Sequence, residues 1–126
     1  MRLLLDTQLL VWWFVDRRIP RRATELIRDP VNELFASAAS VWEIAIKASL
    51  GKIEVEPAAL TAGLRDGGFR ELPISFRHGL QVTLLPLHHR DPFDRLLVAQ
   101  SMCESMPLLT ADRALAAYGP LVMVAE

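Results

Sequence analysis

Apolar residues run along this chain in short blocks, separated by acids, serines, prolines and glycines, and the blocks alternate between a strand-like and a helix-like period. Leu3-Leu4-Leu5 is an unbroken apolar run ending in Asp6, the pattern of a strand buried on both faces in a parallel sheet. Thr7 is placed to cap a helix in which Leu9, Leu10, Trp13 and Phe14 share one face, with Trp12 and Val15 widening the stripe. Pro20 opens a basic helix, Arg21 to Arg28, that stops at Asp29-Pro30. Val31 to Ala36 predicts a second strand. Ser37 or Ser40 then caps a helix containing Val41-Trp42-Glu43-Ile44-Ala45-Ile46-Lys47, which ends at Leu50-Gly51. Pro57 to Leu64 predicts a short helix closed by Gly67-Gly68, and Phe69 to Ile74 an extended piece. Ser75 caps a further helix that Pro86 terminates. Asp91 followed by Pro92 reads as an N-cap with proline in the first helical position, so the next helix begins at Pro92 and carries Asp94 in its first turn. Pro107 to Thr110 predicts a buried strand with Asp112 just beyond it, Arg113 to Tyr118 a turn or two of helix, Gly119-Pro120 a turn, and Leu121 to Val124 another strand. No internal repeat, linker or low-complexity tract interrupts the pattern.

Strands alternating with helices predict an α/β fold with an open parallel sheet. The chain has 126 residues and 52% hydrophobic content, enough for one domain with a proper core over residues 1–126 and too little for two. With 14 basic and 15 acidic residues it lacks the broad positive footprint of a dedicated nucleic-acid binder, so any contact with nucleic acid is local. The arginines of the Arg21 to Arg28 helix read as a solvated face. A single cysteine, Cys103, excludes an internal disulfide and fits a reducing compartment. Leu9 to Val15 is continuously apolar but short, preceded by Asp6 and Gln8 and followed by Asp16-Arg17-Arg18. It is neither a membrane span nor a secretion signal, and a cytoplasmic location is expected.

Ligands of open parallel sheets bind in the crevice outside the carboxyl ends of the strands. Asp6 and Asp112 fall at such ends, and Asp94 starts a helix that can open onto the same edge. Carboxylates gathered there would bind a hard divalent cation such as Mg²⁺ or Mn²⁺, since no Cys/His cluster competes. Sites of this kind act on phosphates, activating water and neutralising charge on a phosphodiester. Each acid also has an ordinary reading. Asp91 and Asp94 suit the first turn of any helix, and Glu43 has Lys47 at the four-residue spacing of a plain ion pair.

Four stretches, Leu3-Leu4-Leu5-Asp6-Thr7, Ser40 to Lys47, His88 to Gln100 and Leu109-Thr110-Ala111-Asp112, taken together and in this order, resemble a PIN-domain ribonuclease of the VapC toxin type. The resemblance implies a three-layer α/β/α sandwich around a mainly parallel sheet of about 4–5 short strands. It further implies a metal-dependent endoribonuclease, using Mg²⁺ or Mn²⁺, that is the toxin of a type II toxin-antitoxin module and inhibits translation or growth. Its partners would be an RNA substrate, a cognate antitoxin and a second copy of the chain. Carried over position by position, Asp6, Glu43, Asp94 and Asp112 match the acidic quartet. Asp6 and Asp94 would be direct metal ligands, Glu43 would help order the attacking water, and Asp112 would bind metal directly or through water. Thr7 and Thr110 would donate hydrogen bonds to the acids, and Asp91 stays the cap. Gln8 departs from the histidine frequent at that place.

Lys47, Arg90 and Arg95 are placed to hold phosphates, or are simple surface charges. His88 and His89, adjacent in an extended segment, point opposite ways, so one is structural and the other is left for RNA contact or proton relay. The apolar excess of the first helix, Leu9, Leu10, Trp12, Trp13 and Phe14, is expected to lie in a homodimer or under an antitoxin segment. Three rivals fit less well. A haloacid-dehalogenase-like phosphatase needs a second acid where Gln8 stands. A receiver-like domain needs paired acids after its first strand, and a PIN-like binding or regulatory domain without strong catalysis would be expected to have lost acids that are all present.

Overall fold

The computed structural model describes residues 1–16 and 18–126, so Arg17 of the charged stretch after the first apolar block lies outside the described residues. Strands Arg2–Leu5 (β1), Glu33–Ser37 (β2), Arg70–Leu72 (β3), Leu108–Thr110 (β4) and Val122–Val124 (β5) form one sheet in the order β3-β2-β1-β4-β5. Every pairing is parallel: Leu3 lies opposite Leu34, Leu5 opposite Leu109 and Ala36 opposite Glu71. The sheet is thus wholly parallel rather than mainly so.

Side chains alternate across the strands as the pleat requires. Leu3, Leu5, Leu34, Ala36 and Leu109 join one core with Leu9, Leu10, Ala23, Ile27, Ile44, Leu60 and Leu64. Leu4, Leu72 and Leu108 join the other with Leu97, Val98, Met106, Leu115 and Tyr118. Helices Thr7–Val11 (α1), Arg21–Arg28 (α2), Ala38–Ser49 (α3) and Pro57–Asp66 (α4) therefore cover one face, and Phe76–Val82 (α5) and Pro92–Glu104 (α6) the other. This is the three-layer α/β/α arrangement. Leu3, Leu4 and Leu5 are completely buried, each contributing roughly 1.5–3 kcal/mol.

Strand order reverses at β1. The chain moves outward from β1 to β2 and β3, then returns across the sheet to lay β4 on the other side of β1. Connections leaving β1 and β4 diverge there and open a crevice at their carboxyl ends.

The local signals hold with three adjustments. β2 begins at Glu33 rather than Val31, because Asp29 turns the chain: its Oδ1 accepts the Val31 N–H at 3.0 Å and its carbonyl accepts the Asn32 N–H at 3.1 Å. Asp6, not Thr7, caps α1, accepting the Leu9 N–H at 2.8 Å. α5 ends at Val82, short of Pro86. Ser37, Glu56, Ser75 and Asp91 cap α3, α4, α5 and α6, and Gly51 follows α3 at φ +71°.

The aromatic excess near the start of the chain is largely used inside it. Past α1 the helix widens over Trp12–Asp16, and Trp12, Trp13 and Phe14 pack half-buried against the core. Phe14 meets the Phe69 ring at 5.9 Å, and the Arg28 guanidinium lies 5.7 Å over Trp13. Exposed apolar side chains lie instead at Phe76, Leu80, Leu84 and Leu87, on α5 and the segment after it. No helix among the described residues is long and apolar enough to cross a membrane.

Candidate metal centre

Four acids from four elements border one cavity of about 270 Å³ at the β1/β4 edge, together with Asp91 and Lys47. Asp6 arrives at the end of β1 and is buried. Its Oδ1 is taken by the Leu9 N–H and its Oδ2 by the Thr110 hydroxyl. Burial pushes its carboxyl up to about 6; the two hydrogen bonds oppose that push, and the charges of Asp112 and Glu43 add to it. Thr110 Oγ1 also accepts the Asp112 N–H at 3.0 Å, so one hydroxyl ties the end of β4 to Asp6.

Asp94 enters from the first turn of α6, whose start is fixed by Asp91 Oδ1 accepting the Phe93 and Asp94 N–H groups at 2.8 and 3.1 Å. Its carboxyl is pushed up to about 7, first by burial and then by the charges of Asp91 and Asp6, with His89 pulling the other way. Asp112 lies just past β4 and accepts the Ala114 N–H at 3.0 Å, capping a short 3₁₀ helix over Arg113–Tyr118. Glu43 comes from α3, buried, with Oε2 2.8 Å from Lys47 Nζ. The expected ion pair is therefore real, but it occupies one oxygen. Oε1 is buried with no hydrogen-bond partner, a costly state for a carboxylate.

These features test whether a cation suits the site. Two carboxyls are lifted toward neutrality by burial and mutual repulsion, a third keeps a buried oxygen unpartnered, and the acids offer only oxygen donors. A hard divalent cation relieves all three conditions at once. Asp6, Glu43, Asp94 and Asp112 all line the cavity, and among the described residues the donor atoms that lie within 4.8 Å of one another come from Asp94, Asp112 and His89.

Other expected participants divide. Thr110 bonds to Asp6 as anticipated, whereas Thr7, although it lines the same cavity, donates its hydroxyl to Ser40 Oγ at 3.0 Å and pins α1 to α3 instead of bonding to an acid. Arg95 has a different task from holding phosphates: its guanidinium donates to the Pro86 and Val82 carbonyls and to Tyr118 Oη, fastening the segment between α5 and α6. Arg90 is exposed, and Gln8 is exposed at the cavity edge. The two histidines do point apart. His88 packs edge-on to Tyr118 at 5.1 Å, while His89 turns into the cluster, where its ring and the carboxylates of Asp94 and Asp112 offer donor atoms within 4.8 Å of one another. Sequence reasoning left the roles of the two open; the signal was the His89-x-Asp91 spacing just before a helix.

The family model for the PIN domain matches residues 3–120. The chain belongs to the PIN-domain family. No curated protein sequence matches it. Among solved structures, it is similar to a chain in the crystal structure of VapBC2 from Rickettsia felis bound to a DNA fragment from their promoter, with TM-score 0.71, 14% identity, and coverage of 98% of this chain and 97% of that one. It is also similar to a chain in the crystal structure of FitAcB from Neisseria gonorrhoeae, with TM-score 0.60, 15% identity and coverage of 90% and 89%.

Proposed function

We propose that this chain is a metal-dependent endoribonuclease and the toxin of a VapBC-type toxin-antitoxin module, acting in the cytoplasm to inhibit translation or growth. The observation that carries the reading is the convergence of Asp6, Glu43, Asp94 and Asp112 on one cavity, with Glu43 Oε1 buried and unpartnered. Nuclease activity is general in the PIN family, and the likeness to the VapBC2 and FitAcB structures supports an antitoxin partner. When bound, Mg²⁺ or Mn²⁺ would lower the pKa of water and neutralise charge on the phosphodiester.

Asp6 and Asp94 are the proposed direct ligands, with Asp112 binding directly or through water. Thr110 holds Asp6 in one orientation, and Glu43 is the residue proposed to help order the attacking water. Lys47, at the cavity edge, and the exposed Arg90 are the cations proposed to hold phosphates. Trp42, exposed beside Glu43 with its ring 5.2 Å from Phe93, offers a face on which an unpaired base can stack, which favours single-stranded RNA. The exposed apolar side chains of α5 are surface for a homodimer or an antitoxin to cover.

The test is cleavage of single-stranded RNA by the purified protein with Mg²⁺ or Mn²⁺, abolished by EDTA and by Asp6→Asn. Undiminished cleavage in EDTA would overturn the metal mechanism. Growth arrest on expression, relieved by co-expressing the product of the adjacent reading frame, tests the toxin assignment.

A further inference from the structure

The cavity that gathers the acids is not acidic all round. Its lining also includes Gln8 and Val11, one turn apart on α1, and Ile53 from beyond α3. A tight turn brings Ile53 there: Gly51 takes φ +71°, and the Lys52 N–H returns to the Lys47 carbonyl at 2.9 Å. Val11 and Ile53 are half-buried against the core, so each turns only part of its apolar surface to the cavity. Gln8 is exposed, and its carboxamide has no hydrogen-bond partner among the described residues. Its neighbour Thr7 is different, since that hydroxyl is already committed to Ser40. A hydrated cation calls for oxygen donors on every side, and two aliphatic side chains offer none. Apolar surface with one free polar group is instead the lining of an organic ligand site.

We propose that Gln8, Val11 and Ile53 form a base subsite beside the metal centre. Val11 and Ile53 pack on the face of an unpaired nucleobase, and Gln8 reads its edge as the specificity-determining residue next to the cut. The inference rests on the ribonuclease reading above and adds a source of sequence preference to it. Acids that bind a metal and a phosphate meet the same groups in every nucleotide, so they cannot choose between bases. A carboxamide sets an N–H donor beside a carbonyl acceptor, the pair that matches a neighbouring acceptor and donor on a base edge. Bases in single-stranded RNA are free to be splayed into such a site. Because the subsite and the acids share one cavity, the base that is read belongs to a nucleotide at the scissile bond.

Cleavage by the full chain in Mn²⁺ of single-stranded RNA oligonucleotides that vary one nucleotide at a time tests this. Wild type should favour one base at a fixed position beside the cut. Gln8→Ala, a change at an exposed side chain, should shrink that preference, read as the ratio of kcat/KM between bases, by about 5- to 150-fold. Ile53→Ala should raise KM for every base and leave the preference standing, with Ile53→Val between it and wild type. Mn²⁺ titration should give Gln8→Ala the affinity of wild type; a weaker affinity would put Gln8 on the metal and overturn the subsite. An unchanged preference in Gln8→Ala would overturn it too. So would a Gln8 effect that vanishes when the nucleotide at that position carries 2′-deoxyribose, since the carboxamide would then be reading the sugar. A wild type that cleaves with metal but prefers no base would sink this inference alone. A wild type with no metal-dependent cleavage of any strand would sink both this inference and the function on which it rests.

Discussion

Asp6 and Asp94 carry the same side chain into the same cavity but are held in opposite ways. Asp6 is stitched into the fold by the Leu9 amide and the Thr110 hydroxyl, and its pKa settles at about 6 despite nearly complete burial. Asp94 is less buried, faces the His89 ring at 3.7 Å, feels Asp91 and Asp6 as like charges, and rises to about 7. Exposure alone would rank them the other way. The difference lies in donors: a carboxylate with internal donors belongs to the architecture, and one without them is a charge awaiting a cation.

The largest expected effect ignores the difference. Both Asp6→Asn and Asp94→Asn remove charge that the metal requires, and each should lower RNA cleavage in Mg²⁺ on the order of 10³-fold, several kcal/mol of transition-state stabilisation. Cleavage rates on a labelled single strand check this, and near wild-type turnover in either variant breaks the site assignment.

Stability without metal should separate the two acids. At about pH 8 in EDTA, relief of the Asp94 shift from 3.8 to about 7 corresponds to roughly 4 kcal/mol at most, against a lost helix-dipole interaction of about 0.3–1 kcal/mol. Asp94→Asn should therefore melt above wild type. Asp6→Asn gains roughly 3 kcal/mol at most from its smaller shift, in which the opposing hydrogen bonds from Thr110 and Leu9 are already included, and should therefore gain less than Asp94→Asn. Mg²⁺ should then raise wild type more than Asp94→Asn. Urea titrations decide; an Asp94→Asn variant less stable than wild type in EDTA would return Asp94 to a simple first-turn acid.

The same shifts set a pH dependence. Between the unfolded value of 3.8 and folded values of about 6 and about 7, the native state binds more protons than the unfolded one. The contribution of these two groups to stability therefore falls as pH rises through that window and is fully unfavourable above about pH 7. Wild type in EDTA should lose melting temperature from about pH 5 to about pH 8, and Asp94→Asn should lose less. Parallel curves would mean that Asp94 does not titrate in this range.

Smaller effects probe the supports. Thr110→Val strips one donor from Asp6 and should cost about 1.5–3 kcal/mol at neutral pH. Asp91→Ala removes the α6 cap at a cost of about 0.5–2 kcal/mol, partly offset because it also removes a charge that raises Asp94. A Thr110→Val protein as stable as wild type would show that Asp6 does not depend on its donor.

What the sequence displayed was what a few consecutive residues decide. Asp91-Pro92, Ser37 and Ser75 announced helix starts because a cap and its amides lie two or three residues apart. The gathering of Asp6, Asp94 and Asp112 was legible because strand ends of a parallel sheet share an edge. Thr7 and Thr110 look alike in the sequence, each near an acid, but only strand pairing separates them. Thr110 lies on β4 beside β1 and reaches across to Asp6, whereas Thr7 has already turned into α1. Arg95 follows Asp94 by one residue, and a helix swings successive side chains about 100° apart, enough to carry the guanidinium from the cavity to the Pro86 and Val82 carbonyls. The aromatic stripe after Asp6 gave no hint that α2 and Phe69 would cover much of it. Glu43 was readable only as an ion pair or a cluster member, and its two oxygens divide between Lys47 and the cavity edge.

The bond between Thr110 and Asp6 joins residues 104 positions apart. Closing so long a loop costs about 4 kcal/mol of chain entropy before any contact across it repays the cost. Pairings of β1 with β2 and of β2 with β3 close much shorter segments, so a chain in the act of folding can hold that half of the sheet while β4 is still at large. In such a species Asp6 has lost its hydroxyl donor, and Asp112 has no fixed place. Competence at the acidic edge is therefore gained late, when β4 docks, and a kinetic trap short of that step would be well structured yet inert.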